Sequence, residues 1–301
     1  MRLYDNCSPI KQRAARLGLA GMLLACAVLR PCAASDVAPT PDALAQALKA
    51  RRSVLLGEVH DNGVQHRLRY EAIKQRIDAG DRPALAFEQF DRGTQAEIDR
   101  VRREQPRDAD ALIAAAGTKN WDWPLYRPFV QLALDYELPI VAANLSRADA
   151  MGVAAAGWHA LFDEPTRSAL ALDRLPAGFV AAHEDAVARG HCHLLPASAL
   201  PAMARAQIAR DIVLAQSIRP QLARGVVLLT GNGHARKDIG VARWLDAAER
   251  DQLWTIGMLE TGSDEKADLA SGSFDAVVWT APAERADPCE ALRKRMKPAE
   301  R

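Results

Sequence analysis

The sequence is poor in cysteine, poor in aromatic residues and almost without net charge. Of its 301 residues only 5 are Cys, 5% are Phe, Trp or Tyr, and the formal net charge is +1. Balanced charge without a basic stripe excludes the electrostatic footprint of a nucleic-acid binder. Cysteine is too scarce for a disulfide-dense scaffold, and neither the paired CxxC of a zinc site nor a CxxCH attachment run occurs. The phosphate-cradling GxxxxGK[ST] loop, the dinucleotide GxGxxG turn and the HExxH zincin helix are also missing. No apolar run reaches the ~20 residues that a membrane-spanning helix needs.

The longest apolar run, LGLAGMLLACAVL, has 13 residues and follows Lys11, Arg13 and Arg16. A short apolar segment behind a positive one predicts an export signal over residues 1–34. The charge partition agrees, since these residues carry Arg2, Lys11, Arg13, Arg16 and Arg30 against Asp5, a net +4, and the rest is −3. Two endings compete. CAA (Cys32 to Ala34) before Ser35 has the small residues of a simple cleavage site, whereas LLAC (Leu23 to Cys26) resembles a lipobox that would acylate Cys26. Either predicts an exported chain, periplasmic or anchored to a membrane as a lipoprotein. Beyond the leader only Cys192 and Cys289 remain, open to one disulfide in an oxidising compartment or to two free thiols.

Residues 35–301 read as a single domain. After a linker, Ser35 to Pro41, DALAQALKA predicts a helix capped by Asp42. Apolar runs of strand length then recur: Ser53 to Gly57, Ala84 to Phe87, Pro139 to Ala143, Gly225 to Thr230, Leu253 to Leu259 and Ala276 to Trp279. They are continuous rather than alternating, as in strands buried on both faces. Helical segments lie between them; from Gly63 to Ala79, for instance, His66, Tyr70, Ile73 and Ile77 share one helical face. The alternation predicts an α/β fold, a mostly parallel central sheet with helices on both faces. About 148–223 the pattern lapses into Ala-rich helix broken at Pro165, Pro176, Pro196 and Pro201, which predicts an inserted helical lobe.

Polar residues stand at the ends of these runs. VLLGEVHDN places Glu58 and His60 after the first, Glu88 follows ALAF, Asn144 follows PIVAA with Arg147 close behind, and His234 follows GVVLLTGNG. In an open α/β sheet, ligands bind beyond the carboxyl ends of the strands. With Asn62 as a helix cap, His66 falls in the next first turn and joins the set. Read as a hydrolase, the chain would use Glu58, His60, Glu88 and His234, with Glu88 or His60 as general base. With a divalent metal, His60, His66 and His234 are the ligand candidates. Asn144 and Arg147 would line the same pocket.

Beyond these local patterns, LLGEVHDN, ALAFEQF, NWDWPLYRPFVQLA, LPIVAANLSR, HCHLLP, ARAQIARDIVLAQSI and TGNGHARKDIGVARWL occur in this order. Together they resemble the ChaN-like haem-binding uptake family of the Tiki/TraB superfamily, related to erythromycin esterases. The resemblance implies an α/β core with a helical lobe, an envelope location, haem binding linked to iron uptake, and an outer-membrane haem or iron receptor as a partner. GEVH, Glu88 and GNGH match the superfamily's hydrolase-type motifs, so it also leaves the hydrolase reading standing. Haem ligation in the family is attributed to a tyrosine with basic groups on the propionates. Tyr126 and Arg127 in WDWPLYRP are the matching candidates here, with His191 and His193 in GHCHLLP as the next ones and a haem site shared across a homodimer as one arrangement.

Overall fold

The structure, a computed structural model, describes residues 34–262 and 272–296. The export signal and Cys26 therefore lie outside the described residues, apart from Ala34. Seven strands form one sheet among the described residues: β1 (Ser35–Val37), β2 (Ser53–Leu56), β3 (Ala84–Asp91), β4 (Ile140–Asn144), β5 (Val226–Leu229), β6 (Leu253–Glu260) and β7 (Ala276–Thr280). Their order is β1-β7-β6-β2-β5-β3-β4, and every pairing is parallel. The fold is α/β, as the run lengths predict.

Side chains alternate along each strand between two apolar layers. Val54, Leu56, Leu85, Phe87, Val227, Leu229, Ile256 and Met258 face one layer. Leu55, Ala84, Ala86, Val226, Leu228 and Val277 face the other. The first layer packs beneath α1 (Pro41–Leu48), α2 (Gly63–Asp78), α3 (Gln95–Glu104), α4 (Ala109–Ala116) and α5 (Trp123–Asp135), through side chains such as Leu44, Ile73, Ile98, Leu112 and Phe129. Each fully buried Leu, Ile or Phe contributes roughly 1.5–3 kcal/mol. A strand with such residues on both faces therefore stays in the sandwich, and β3 runs on past its apolar Ala84–Phe87 to carry buried Glu88 and Gln89 before it ends at Asp91.

Between β4 and β5 the chain runs through α6 (Arg147–Ala156), α7 (Glu164–Ala169), α8 (Ala177–Gly190) and α9 (Leu200–Ile218) without a strand among the described residues. α9 serves two layers: Leu214, Ala215 and Ile218 close the second face of the sheet. Ala206, Ile208, Ala209 and Ile212 pack with Leu145, Val153 and Phe162 as a third cluster. Cys192, in the turn after α8, is disulfide-bonded to Cys289 of the C-terminal helix Pro288–Met296. No helix among the described residues is long and apolar enough to cross a membrane.

Two local expectations are corrected. Ser35–Val37 is not linker but β1, pairing with Ala276–Val278 of β7; three residues give too short a pattern to recognise in sequence. Thr40, not Asp42, caps α1, its side chain accepting from Ala43 N, with Pro41 at the first helical position and Asp42 in the first turn. There Asp42 still suits the positive end of the helix dipole.

Candidate functional site

β2, β5 and β3 are neighbours in the sheet. Their adjacency brings Glu58, the segment Thr230–His234 and Glu88 to one place, where the strand order switches direction. Gly57 makes the exit from β2 tight: a Cβ there would lie 2.4 Å from Asn232 Oδ1, whose amide is fixed to both Met258 O and Met258 N. Asn62 caps α2 by accepting from Val64 N and Gln65 N. This fixed start turns His66 and Arg69, three residues apart on one helical face, toward Glu58.

Glu58 has no solvent exposure in its side chain. Its Oε1 accepts from the Tyr126 hydroxyl at 2.6 Å and from His60 Nδ1 at 2.9 Å. Its Oε2 is ion-paired with Arg69 Nη1 and lies 3.5 Å from His66 Nε2. Arg69 is itself fully buried and stands over the Phe129 ring. Burial draws its pKa down to about 10, so it stays charged at neutral pH. Donors and a cation gathered on a buried carboxylate offset the cost of desolvating its charge, and removing one of them would leave that charge uncompensated.

His60 is the exception to this burial, with 49% of its side chain exposed. Its Nδ1 faces a carboxylate, which can only accept, so Nδ1 donates to Glu58. Trp121 meets the ring edge-on at 5.0 Å. Gly231 lies alongside: a Cβ there would come 2.9 Å from His60 Cε1 and 3.0 Å from Nε2. His66 Nε2, in contrast, is spent on His60 O at 2.9 Å, and burial lowers its pKa below the ordinary value.

On the other side of Gly231, Glu88 Oε2 accepts from Thr230 Oγ1 at 2.7 Å and Gly231 N at 2.8 Å. His234 spans two acids, with Nδ1 2.6 Å from Asp211 Oδ1 and Nε2 3.7 Å from Glu88 Oε1. Burial alone would raise the Glu88 pKa. The His234 and His60 imidazoles and the Gly231 and Thr230 bonds outweigh it and hold it at about 2. Burial draws His234 down, but Asp211 and Glu88 together carry it above its ordinary value. Asp211 is raised, chiefly by its own burial. His234 therefore has an acid facing each ring nitrogen.

Glu58, His60, His66, Glu88 and His234 thus come together. The proposed metal reading finds no support: among the described residues no group of three or more His, Cys, Asp or Glu is disposed to hold a metal ion. Nδ1 of His60 and of His234 and Nε2 of His66 are already committed to a carboxylate or a carbonyl. Glu88 is a poor general base, because a carboxyl at about 2 with two donors on one oxygen has little affinity for a proton.

The residues expected to hold haem are placed differently. Tyr126 is 1% exposed, its hydroxyl donates to Glu58, and burial raises its pKa. Its hydroxyl is thus engaged on a buried acid among the strand-end residues. Arg127 clamps Asp110 with Nε and Nη2 at 2.7 and 2.6 Å. It lines an outer groove of about 450 Å³ with Gln105, Arg107 and Gln131 rather than the strand ends. His191 Nδ1 donates to Val187 O, and exposed His193 adopts φ 55° in the disulfide-tied turn; neither enters the strand-end network. Asn144 is structural, its amide bonding Glu88 O, Leu145 N and Arg210 Nη1. Arg147 is exposed in the first turn of α6.

Two residues of the network escaped the sequence reading. Arg69 stands among Ala72, Ile73 and His66 on the inner face of α2, a cation where the period calls for an apolar residue. Asp211 is the single acid in the 19 residues of α9. For Asp211, a lone acid on a buried helical stripe is the available signal; α2 is rich in charge, so Arg69 carries none as clear.

The comparisons with known proteins bear on this arrangement. The description "Haem-binding uptake, Tiki superfamily, ChaN" matches residues 44–245. A solved structure described as "Cofacial heme binding to ChaN of Campylobacter jejuni" shares 20% identity, covering 78% of this chain and 89% of that chain at a TM-score of 0.62. At that identity the likeness is one of fold. A succinoglycan biosynthesis protein matches at 13% identity, over 74% of this chain and 71% of that one, and its TM-score of 0.39 carries no argument. No curated protein matches.

Proposed function

The chain belongs to the ChaN haem-binding uptake family of the Tiki superfamily, and from that premise we propose that it binds haem at the carboxyl ends of β2, β5 and β3. The observation that carries this reading is the half-exposed His60 imidazole, standing edge-on to Trp121 above a buried, charged network. Haem needs a donor atom open to solvent and apolar contact beside it. The half-exposed imidazole and the Trp121 ring beside it give the described chain an approach from solvent and an apolar contact here.

The same reading makes the chain an exported protein of the cell envelope that takes haem from an outer-membrane receptor and serves iron acquisition. Its support is the leader, with Lys11, Arg13 and Arg16 ahead of a 13-residue apolar run. Self-association around haem belongs to this reading, supported by the cofacial haem binding described for the C. jejuni protein. The test is a titration of hemin into the purified mature chain, followed by absorbance. A saturable Soret shift is expected. A spectrum that remains that of free hemin defeats the proposal.

A further inference from the structure

Every strand pairing is parallel, so the amino ends of the strands gather along the edge of the sheet opposite Glu58 and Glu88. The chain enters β2 there through Lys49-Ala50-Arg51-Arg52, three cations in four residues, although the sequence beyond the leader is net acidic. All three side chains are exposed. With Arg76, Ala79 and Asp81 they line a cavity of about 460 Å³. We propose that this cavity is a second binding site, for a phosphate group, with buried Arg76 as its inner donor and Lys49, Arg51 and Arg52 as the cations around it. The site is remote from the strand-end network and does not depend on the haem reading.

The Arg76 side chain is only 5% exposed. Its Nε donates to Asp81 Oδ2 and its Nη2 to Arg52 O, both at 2.9 Å. Nη1 is buried and has no hydrogen-bond partner among the described residues. A buried donor left unmade is costly, and an anionic oxygen in the cavity would satisfy it. The outer cations also lack counter-charge. Arg51 Nη1 donates to Ala50 O, and its guanidinium stands 5.5 Å over the Trp254 ring. Arg52 Nη1 donates to Ala223 O. No carboxylate pairs with Lys49, Arg51 or Arg52 among the described residues. A helix dipole accounts for a cation at the close of α1 or α2, where Lys49 and Arg76 stand. It does not account for Arg51 and Arg52, which lie beyond α1 at the entry to β2. Four cations set against Asp81 alone repel one another, and a bound anion relieves that repulsion. Forked guanidinium groups match the paired oxygens of a phosphate.

A soluble phosphate and a lipid headgroup share this chemistry, and the test separates them. It uses the full mature chain, oxidised at Cys192–Cys289, with inorganic phosphate in titration calorimetry and with phosphatidylglycerol or phosphatidylcholine vesicles in flotation. Wild type is expected to bind one of the two probes, and chloride at equal ionic strength is expected not to replace inorganic phosphate. Lys49→Gln with Arg51→Gln, both at exposed positions, is expected to weaken binding at least ~tenfold. Arg103→Gln with Arg174→Gln removes the same charge from α3 and from the segment between α7 and α8, and is expected to change nothing. Asp81→Asn is expected to tighten binding severalfold, because it removes the one acid of the cavity; a carboxylate that only props Arg76 would not do so. Saturable binding of inorganic phosphate without vesicle retention assigns a soluble phosphate. Retention on phosphatidylglycerol but not phosphatidylcholine vesicles, abolished in Lys49→Gln with Arg51→Gln, assigns a lipid headgroup. Failure of wild type to bind either probe, equal weakening in the two double variants, or weaker binding in Asp81→Asn overturns the site.

Discussion

His60 Nδ1 lies 2.9 Å from Glu58 Oε1, so a ring that is half in solvent is held by an acid that solvent does not reach. Orientation at the surface is thereby borrowed from the interior, and the interior arrangement is the part most open to mutation.

Arg69→Met should be costly. It leaves Glu58 buried without its cation, and breaking a buried pair costs about 3–5 kcal/mol. Urea unfolding should show that loss, and adding Glu58→Gln to the same chain should recover part of it. Equal stability of Arg69→Met and wild type would mean that the buried pair is not formed.

Stability should fall at both ends of the pH scale for separate reasons. The Glu88 carboxyl sits at about 2 in the fold against 4.5 ordinarily. Between those values the unfolded chain binds the extra proton, so stability drops as pH falls from 4.5 toward 2, by on the order of 3 kcal/mol. The His234 pKa is raised above 6.5 by its two acids. Its contribution is complete below 6.5 and is lost as pH rises through the raised value. Denaturant midpoints across pH should show both limbs, and Asp211→Asn should flatten the alkaline one.

Gly231→Ala should leave the fold standing and disturb the site. The added Cβ would meet His60 Cε1 at 2.9 Å, closer than a carbon contact allows, and the exposed ring is the part free to move. Hemin affinity should fall roughly tenfold, ~1.4 kcal/mol, with a thermal midpoint close to wild type. Unchanged affinity would separate Gly231 from the site.

Cys192→Ser tests the tie between the turn after α8 and the C-terminal helix, 97 residues away in sequence. Removing a crosslink that closes a long loop costs typically 2–4 kcal/mol. The loss should appear in thermal unfolding under oxidising conditions and vanish when both proteins are compared in reductant.

The strands and their polar ends were readable because buried parallel strands are written as uninterrupted Val, Leu, Ile and Ala runs, so Glu58 and Glu88 stand out where those runs stop. The order β2-β5-β3, which brings these acids together, is not local information: it is decided by which helix faces pack on which side of the sheet. Arg69 and Asp211 were passed over because a charge on a helix is ordinarily solvated, and only the packed layers show that both point inward. Tyr126 stands between Trp121, Trp123 and Arg127 in sequence, and only the fold shows that α5 turns its hydroxyl onto Glu58.

The most direct measurement is the crystal structure of the mature chain with hemin bound. Haem is expected at the carboxyl ends of β2, β5 and β3, beside Trp121 and Gly231. A haem seated in the outer groove at Arg127, at His191 and His193, or anywhere else away from those strand ends would contradict the proposed function.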